Sequence, residues 1–270
     1  MRRSIPARRL PALFIGHGSP LNALEKNIYT ESWSCIGSGI GKPRGILLIS
    51  AHWLTDGVEV TAMEHPKTLH DFHEQFPQLM DFRYPAPGCG HLAARVQELL
   101  ADENVRYSQN WGFDQGAWPV LCHLYPDADV PVVQMSINVR KPASWHYQTG
   151  KKLHALRNEG YLIIGSGNLV YNPIMADYQR EHFAYDWAVN FQNKIATRIQ
   201  NSQDEMLLDL AALGNESGLA VPTHEHFLPL LYTLATRDHE DDAVEFITPA
   251  CIYGSISMMS LALWPSADPG

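Results

Sequence analysis

Cysteine is scarce in this chain. Cys35, Cys89, Cys122 and Cys251 are scattered through 270 residues with no CxxC pair, which excludes a disulfide framework and a cysteine zinc ribbon. Reduced, mostly buried thiols are expected. Basic charge is short as well: 20 Lys and Arg against 29 Asp and Glu leave a net charge of −9. A nucleic-acid binder carries a basic surplus or stripe, so that class is set aside. No apolar run approaches the roughly 18 residues of a membrane span. Arg2, Arg3, Arg8 and Arg9 lead into no signal-peptide core. Residues 1–9 read as a disordered leader and residues 10–270 as one soluble, cytoplasmic domain with neither a membrane nor a nucleic-acid partner. Repeats, low-complexity tracts and linkers are missing too.

What is present is a series of short apolar runs separated by helical segments. Residues 11–15, 45–51, 130–136 and 161–165 are continuous strand-like runs, the signature of a sheet covered on both faces. Residues 91–100, 141–157, 184–199 and 223–235 show helical spacing, the last with Thr223 as its cap. Two further β-like runs, 244–247 and 251–258, close the chain. The expected fold is α/β: a single domain with a mostly parallel central sheet and helices on both faces. The acidic stretch 238–242 reads as a solvated turn. Trp111, Trp118, Trp145 and Trp187 read as core or pocket wall.

Histidine is abundant, with 13 in the chain. His titrates near neutral pH and is the commonest metal ligand. In an open α/β sheet, ligands bind beyond the carboxyl ends of the strands, and His17, His52 and the stretch 165–171 each follow an apolar run. Two strand-end histidines either meet one ion or merely cap their turns. The cluster Pro222-Thr223-His224-Glu225-His226 offers a ligand or an ordinary helix start. His70-Asp71-Phe72-His73-Glu74 is a substrate-contacting loop or a solvated one. His123, His146, His154, His182 and His239 lie away from the pattern and read as surface residues.

Taken in order, Gly16-His17-Gly18-Ser19-Pro20, Ser50-Ala51-His52-Trp53, His70-Asp71-Phe72, Tyr84-Pro85-Ala86-Pro87-Gly88, Trp111-Gly112-Phe113-Asp114, Gly165-Ser166-Gly167-Asn168, Pro222 to His226 and Gly254-Ser255 carry a resemblance. The chain resembles the class III extradiol ring-cleaving dioxygenases of the LigB superfamily, and within it the bacterial and plant 4,5-DOPA dioxygenase group. The resemblance implies a LigB-like three-layer fold and a metal held by His17, His52 and His226. The expected metal is Fe(II), with Zn(II) able to occupy the same imidazoles. It implies a small aromatic substrate of the catechol class, opened with O2. Substrate contacts are expected from Trp53, Asp71, Ser166 and Ser255, and a catalytic part from His70. A homodimer is the default expectation for such an enzyme.

Two positions depart from the family pattern. Its SGNxVHN motif reads Ser166-Gly167-Asn168-Leu169-Val170-Tyr171-Asn172 here, and its GFDHG motif reads Gly112-Phe113-Asp114-Gln115-Gly116. Tyr171 thus replaces the acid/base histidine and Gln115 replaces a second one. A phenol titrates near 10 where imidazole titrates near 6.5, and an amide does not titrate. Slowed or redirected ring cleavage is expected; Tyr171 ligating the metal as a phenolate, which would favour ferric iron, is an alternative. Non-oxidative metal chemistry on a small aromatic molecule, or a catalytically impaired metal-binding descendant, stand as alternatives.

Overall fold

The apolar runs form the middle of one sheet. In the computed structural model, which describes residues 9–71 and 75–266, the strands are β1 (Ala12–Gly16), β2 (Gly45–Thr55), β3 (Glu59–Thr61), β4 (Arg106–Ser108), β5 (Val132–Asn138), β6 (Tyr161–Gly167) and β7 (Asp242–Ile247). A short pair, β8 (Cys251–Ile252) and β9 (Ile256–Ser257), precedes β10 (Ser260–Pro265). The large sheet has the order β4-β3-β5-β2-β6-β1-β10-β7. Its central strands, β5, β2, β6 and β1, are parallel, and antiparallel pairs join β3, β10 and β7 to them.

Both faces of these strands are buried. Ala12 and Phe14 of β1 point to one face, Leu13 and Ile15 to the other. The first face is covered by α2 (Gly90–Leu99), α4 (Ala143–Leu153), α6 (Asp186–Gln200) and α8 (Leu228–Ala235), and the second by α1 (Ile28–Ile40) and α3 (Trp118–Leu124). Among the described residues, no helix is long and apolar enough to cross a membrane.

The structure alters several local expectations. Neither α1 nor α3 was foreseen. The α1 sequence is rich in Gly and Ser and so weak in intrinsic propensity; it is held by burial of Trp33 and Ile36 and by a capping box between Asn27 and Thr30. The helix expected over 141–157 breaks at His154 into α4 and α5 (Ala155–Asn158). The run 251–258 folds back on itself as β8 and β9, turning at Tyr253 (φ 52°) and Gly254 (φ 87°). Thr223 caps nothing: α8 starts only at Leu228, and the Thr223 hydroxyl donates to Glu225 Oε1 at 2.6 Å.

Some solvated expectations prove buried. Asp242 is buried against Arg157, whose Nη2 donates to its Oδ1 at 2.9 Å. His146 is fully buried, with Nδ1 2.8 Å from the Tyr232 hydroxyl. Conversely, of the four cysteines only Cys251 is buried; all four are free. The expected leader lies outside the described residues except for Arg9, which pairs with Asp238 at 2.8 Å and with Asp242 at 3.1 Å.

Candidate metal centre

Two parallel strands, β1 and β6, end together beside the middle of β2 and set the position of the site. Gly16 of β1 is level with Gly167 of β6, and Ser50 of β2 is level with Ser166. His17 follows β1 directly. His52 lies where the register of β2 against β5 slips, between Ile49 and Leu54; such irregularities re-aim side chains near functional sites. His226 comes from the loop before α8 and is tied to the end of β6, where Asn168 N–H donates to its carbonyl at 2.8 Å. That approach needs Gly167, since a Cβ there would lie 2.1 Å from the His226 carbonyl oxygen.

The three imidazoles converge. Each offers one ligand nitrogen, and these atoms all lie within 4.8 Å of one another. His17 Nε2 and His52 Nε2 are 3.3 Å apart. His226 is buried, and neither of its ring nitrogens has a hydrogen-bond partner; Nδ1 is 3.7 Å from Glu225 Oε1. Buried polar atoms are rarely left unmatched, so nitrogens orphaned in a histidine cluster fit a metal. Burial, with His52 and His226 adding to it, holds His17 well below the usual imidazole range. Burial likewise lowers His226 to about 4, with Glu225 opposing and His52 assisting. These two rings are neutral at pH 7, the form that ligates.

Hydrogen bonds fix which nitrogen is free. The Ser166 hydroxyl donates to the Gly116 carbonyl at 2.5 Å, which uses its only proton. Its contact with His17 Nδ1 at 3.0 Å is therefore an acceptance from Nδ1–H, and Nε2 keeps its lone pair. His52 Nδ1 lies 3.5 Å from Asp71 Oδ2 and 3.1 Å from the Gln115 amide. A carboxylate behind a histidine favours the proton on Nδ1 and frees Nε2 for a metal. The Gln115 atom facing Nδ1 is its amide nitrogen, which donates to Nδ1 and puts the ring proton on His52 Nε2; the flipped amide turns its carbonyl oxygen to the ring and supports the ligating form. The Gln115 N–H also donates to Asp71 Oδ1 at 3.0 Å.

A buried carboxylate organises the floor of the site. Asp114 Oδ1 accepts from the Ser50 hydroxyl at 2.7 Å and from Gly116 N–H at 2.9 Å, and Oδ2 accepts from Gln134. Burial raises its pKa, opposed by His52. No role for Asp114, Ser50 or Gln134 was read from the sequence. A signal existed, because Gln134 is a polar residue set between Val133 and Met135.

Beside the histidines lies a cavity of about 330 Å³, lined by His52, Asp71, Gln115 and Tyr171 and walled by Phe76, Tyr178, Tyr253 and Ile256. The Tyr171 ring stacks on His226 with centroids 3.7 Å apart and planes 12° off parallel. Burial, with Tyr178 and Glu225 adding to it, pushes its phenol up to about 12. The other expected residues are not among the described residues that line the cavity. Trp53 is buried and stacked on Trp111 at 5.4 Å. His70 lies beside Trp118, ring centroids 5.8 Å apart. Ser166 supports His17 from below, and the Ser255 hydroxyl donates to the Asn172 carbonyl at 2.7 Å. Phe72, His73 and Glu74 lie outside the described residues. The wall residues Phe76, Tyr178 and Tyr253 were not foreseen, since they come from irregular segments without periodicity.

Comparison with known proteins follows the same lines. Residues 17–263 match the family described as the catalytic LigB subunit of aromatic ring-opening dioxygenase. A relative from Escherichia coli (strain K12) named 4,5-DOPA dioxygenase extradiol is 45% identical over 260 residues, covering 94% of this chain and 95% of its own. One of the same name from Beta vulgaris is 36% identical over 225 residues, covering 80% and 83%. The crystal structure of an uncharacterized protein from Escherichia coli K12 superposes with a TM-score of 0.83 at 41% identity, over 95% of this chain and 100% of the other. With a family match that takes in all three converging histidines and relatives that extend over nearly the whole chain, this protein belongs to the LigB family of aromatic ring-opening dioxygenases.

Proposed function

We propose that this protein opens the ring of a catechol, DOPA-like in its ring, with O2, using a metal held by His17, His52 and His226. The observation that carries this reading is the set of three converging imidazole nitrogens, one of them given its ligating tautomer by the Ser166 relay. A ferrous ion on these three nitrogens would supply redox contact with O2 and a Lewis-acidic anchor for the catechol oxygens, and zinc would compete for the same imidazoles.

The chain's own groups hold, orient and exclude. Asp71 and Gln115 fix the His52 ring, and the aromatic wall of Phe76, Tyr178 and Tyr253 keeps water from the substrate face. Tyr171 and Gln115 stand where the family motif has histidines. In metal-free protein Tyr171 is a neutral phenol at pH 7, which makes it a hydrogen-bond donor to substrate oxygen rather than a base. A catechol proton then leaves to solvent. A positioned base contributes about 10²–10⁴-fold, so cleavage should be slower by about that factor than in a site with both histidines. The same neutral phenol favours, as a second reading, non-oxidative Lewis-acid chemistry on an aromatic molecule. Alanine at His17, His52 or His226 should each abolish stoichiometric metal binding, as measured by metal analysis after reconstitution; unchanged metal content in any of the three would sink the ligand assignment.

A further inference from the structure

The mouth of the cavity is acidic and aromatic. Asp71 and Phe76 line it. The opposite wall is Tyr178, Tyr253 and Ile256. Tyr178 and Tyr253 face each other with ring centroids 5.4 Å apart, and Tyr178 is 63% exposed at the rim. Glu181 and Glu25 are near enough to Tyr253 to add to the upward shift that burial gives its phenol. Within 169–185 the one Lys or Arg is Arg180. It is already engaged, lying 3.7 Å over the Phe183 ring and 3.8 Å from Asp177. Among the described residues, the lining of this cavity includes no Lys or Arg.

Such a wall discriminates by charge. A carboxylate has about four lone-pair sites; one oxygen of Asp71 takes the Gln115 N–H and the other faces His52, so acceptor capacity remains. Aromatic faces attract a cation directly. A carboxylate on the substrate tail would meet a carboxylate and phenols with no Lys or Arg among the described residues of the lining, and like charges across a site suppress binding.

Resting on the ring-cleavage reading above, we infer that the preferred substrate is a catechol whose short side chain ends in an ammonium group without a carboxylate, recognised by Asp71 and by the faces of Tyr178, Tyr253 and Phe76. Amino-acid catechols are second to it, and catechols with a carboxylate-ended chain are the poorest.

The test uses four catechols with the same ring and a two- or three-carbon side chain that is ammonium-ended, neutral, zwitterionic or carboxylate-ended. Dissociation constants are measured on anaerobic zinc-loaded protein, and kcat/KM by oxygen uptake on iron-loaded protein. The ammonium catechol should bind about tenfold more tightly than the carboxylate one at low salt, a difference of roughly 1.4 kcal/mol, and the gap should shrink as salt screens it. Tyr178→Leu should lower affinity for the ammonium catechol relative to the neutral one by about two- to fivefold. Equal or tighter binding of the carboxylate or zwitterionic catechol would overturn the charge assignment and leave ring cleavage standing. Failure of all four to bind or be consumed by metal-loaded protein would overturn both.

Discussion

One hydroxyl decides which nitrogen of His17 is free. Ser166 has a single proton and donates it to Gly116, so His17 must give its Nδ1 proton in return. Residue-scale chemistry is equally decisive at the two departures from the family motifs. Tyr171 and Gln115 offer a donor and an amide where two titrating imidazoles are expected. The double variant Tyr171→His/Gln115→His should raise kcat for catechol cleavage by about 10²-fold or more, read as oxygen uptake under saturating substrate. No gain would mean that this cavity serves a different substrate.

At the scale of elements, the site depends on close approach between β6 and the loop before α8. A Cβ at Gly167 would meet the His226 carbonyl oxygen at 2.1 Å, whereas one at Gly218 meets nothing within 4 Å. Gly167→Ala should therefore cost about 1–3 kcal/mol of stability and weaken metal binding at least tenfold by moving His226. Gly218→Ala should do neither; denaturant melts and metal titrations of both variants decide it. The four central strands were legible because burial on both faces leaves continuous apolar runs, and His17 and His52 were legible because they follow such runs. The cluster 222–226 was a candidate from its residues, but His226 was singled out within it only through the family resemblance. Its position depends on the Asn168 N–H bond and on a glycine 59 residues away in sequence, which no local periodicity records. The α1 helix escaped for a related reason, because tertiary burial of Trp33 and Ile36 overrides a glycine-rich sequence.

For the whole molecule, buried neutral histidines link stability to pH. Burial lowers His146 to about 4, with its bond to the Lys141 carbonyl opposing. Unfolded histidine titrates near 6.5. Between those values the unfolded chain takes a proton that the native ring refuses, so stability is full above about 6.5 and is lost as pH falls towards 4. The loss is up to about 3 kcal/mol for this residue, and His17 and His226 act in the same direction in metal-free protein. Urea midpoints at pH 7, 5.5 and 4.5 should fall in that order, and His146→Phe should flatten the fall; an unchanged slope would show that His146 titrates normally.

The proposed ring cleavage requires three imidazoles to hold a redox metal despite the phenol and amide beside them. The decisive test is anaerobic reconstitution with ferrous iron, followed by oxygen uptake with a catechol and metal analysis of the same sample. One metal per chain and one O2 consumed per catechol, with a yellow ring-opened product, are expected. Stoichiometric metal with no oxygen uptake from any catechol would contradict the ring-cleavage reading and assign the centre to non-oxidative chemistry.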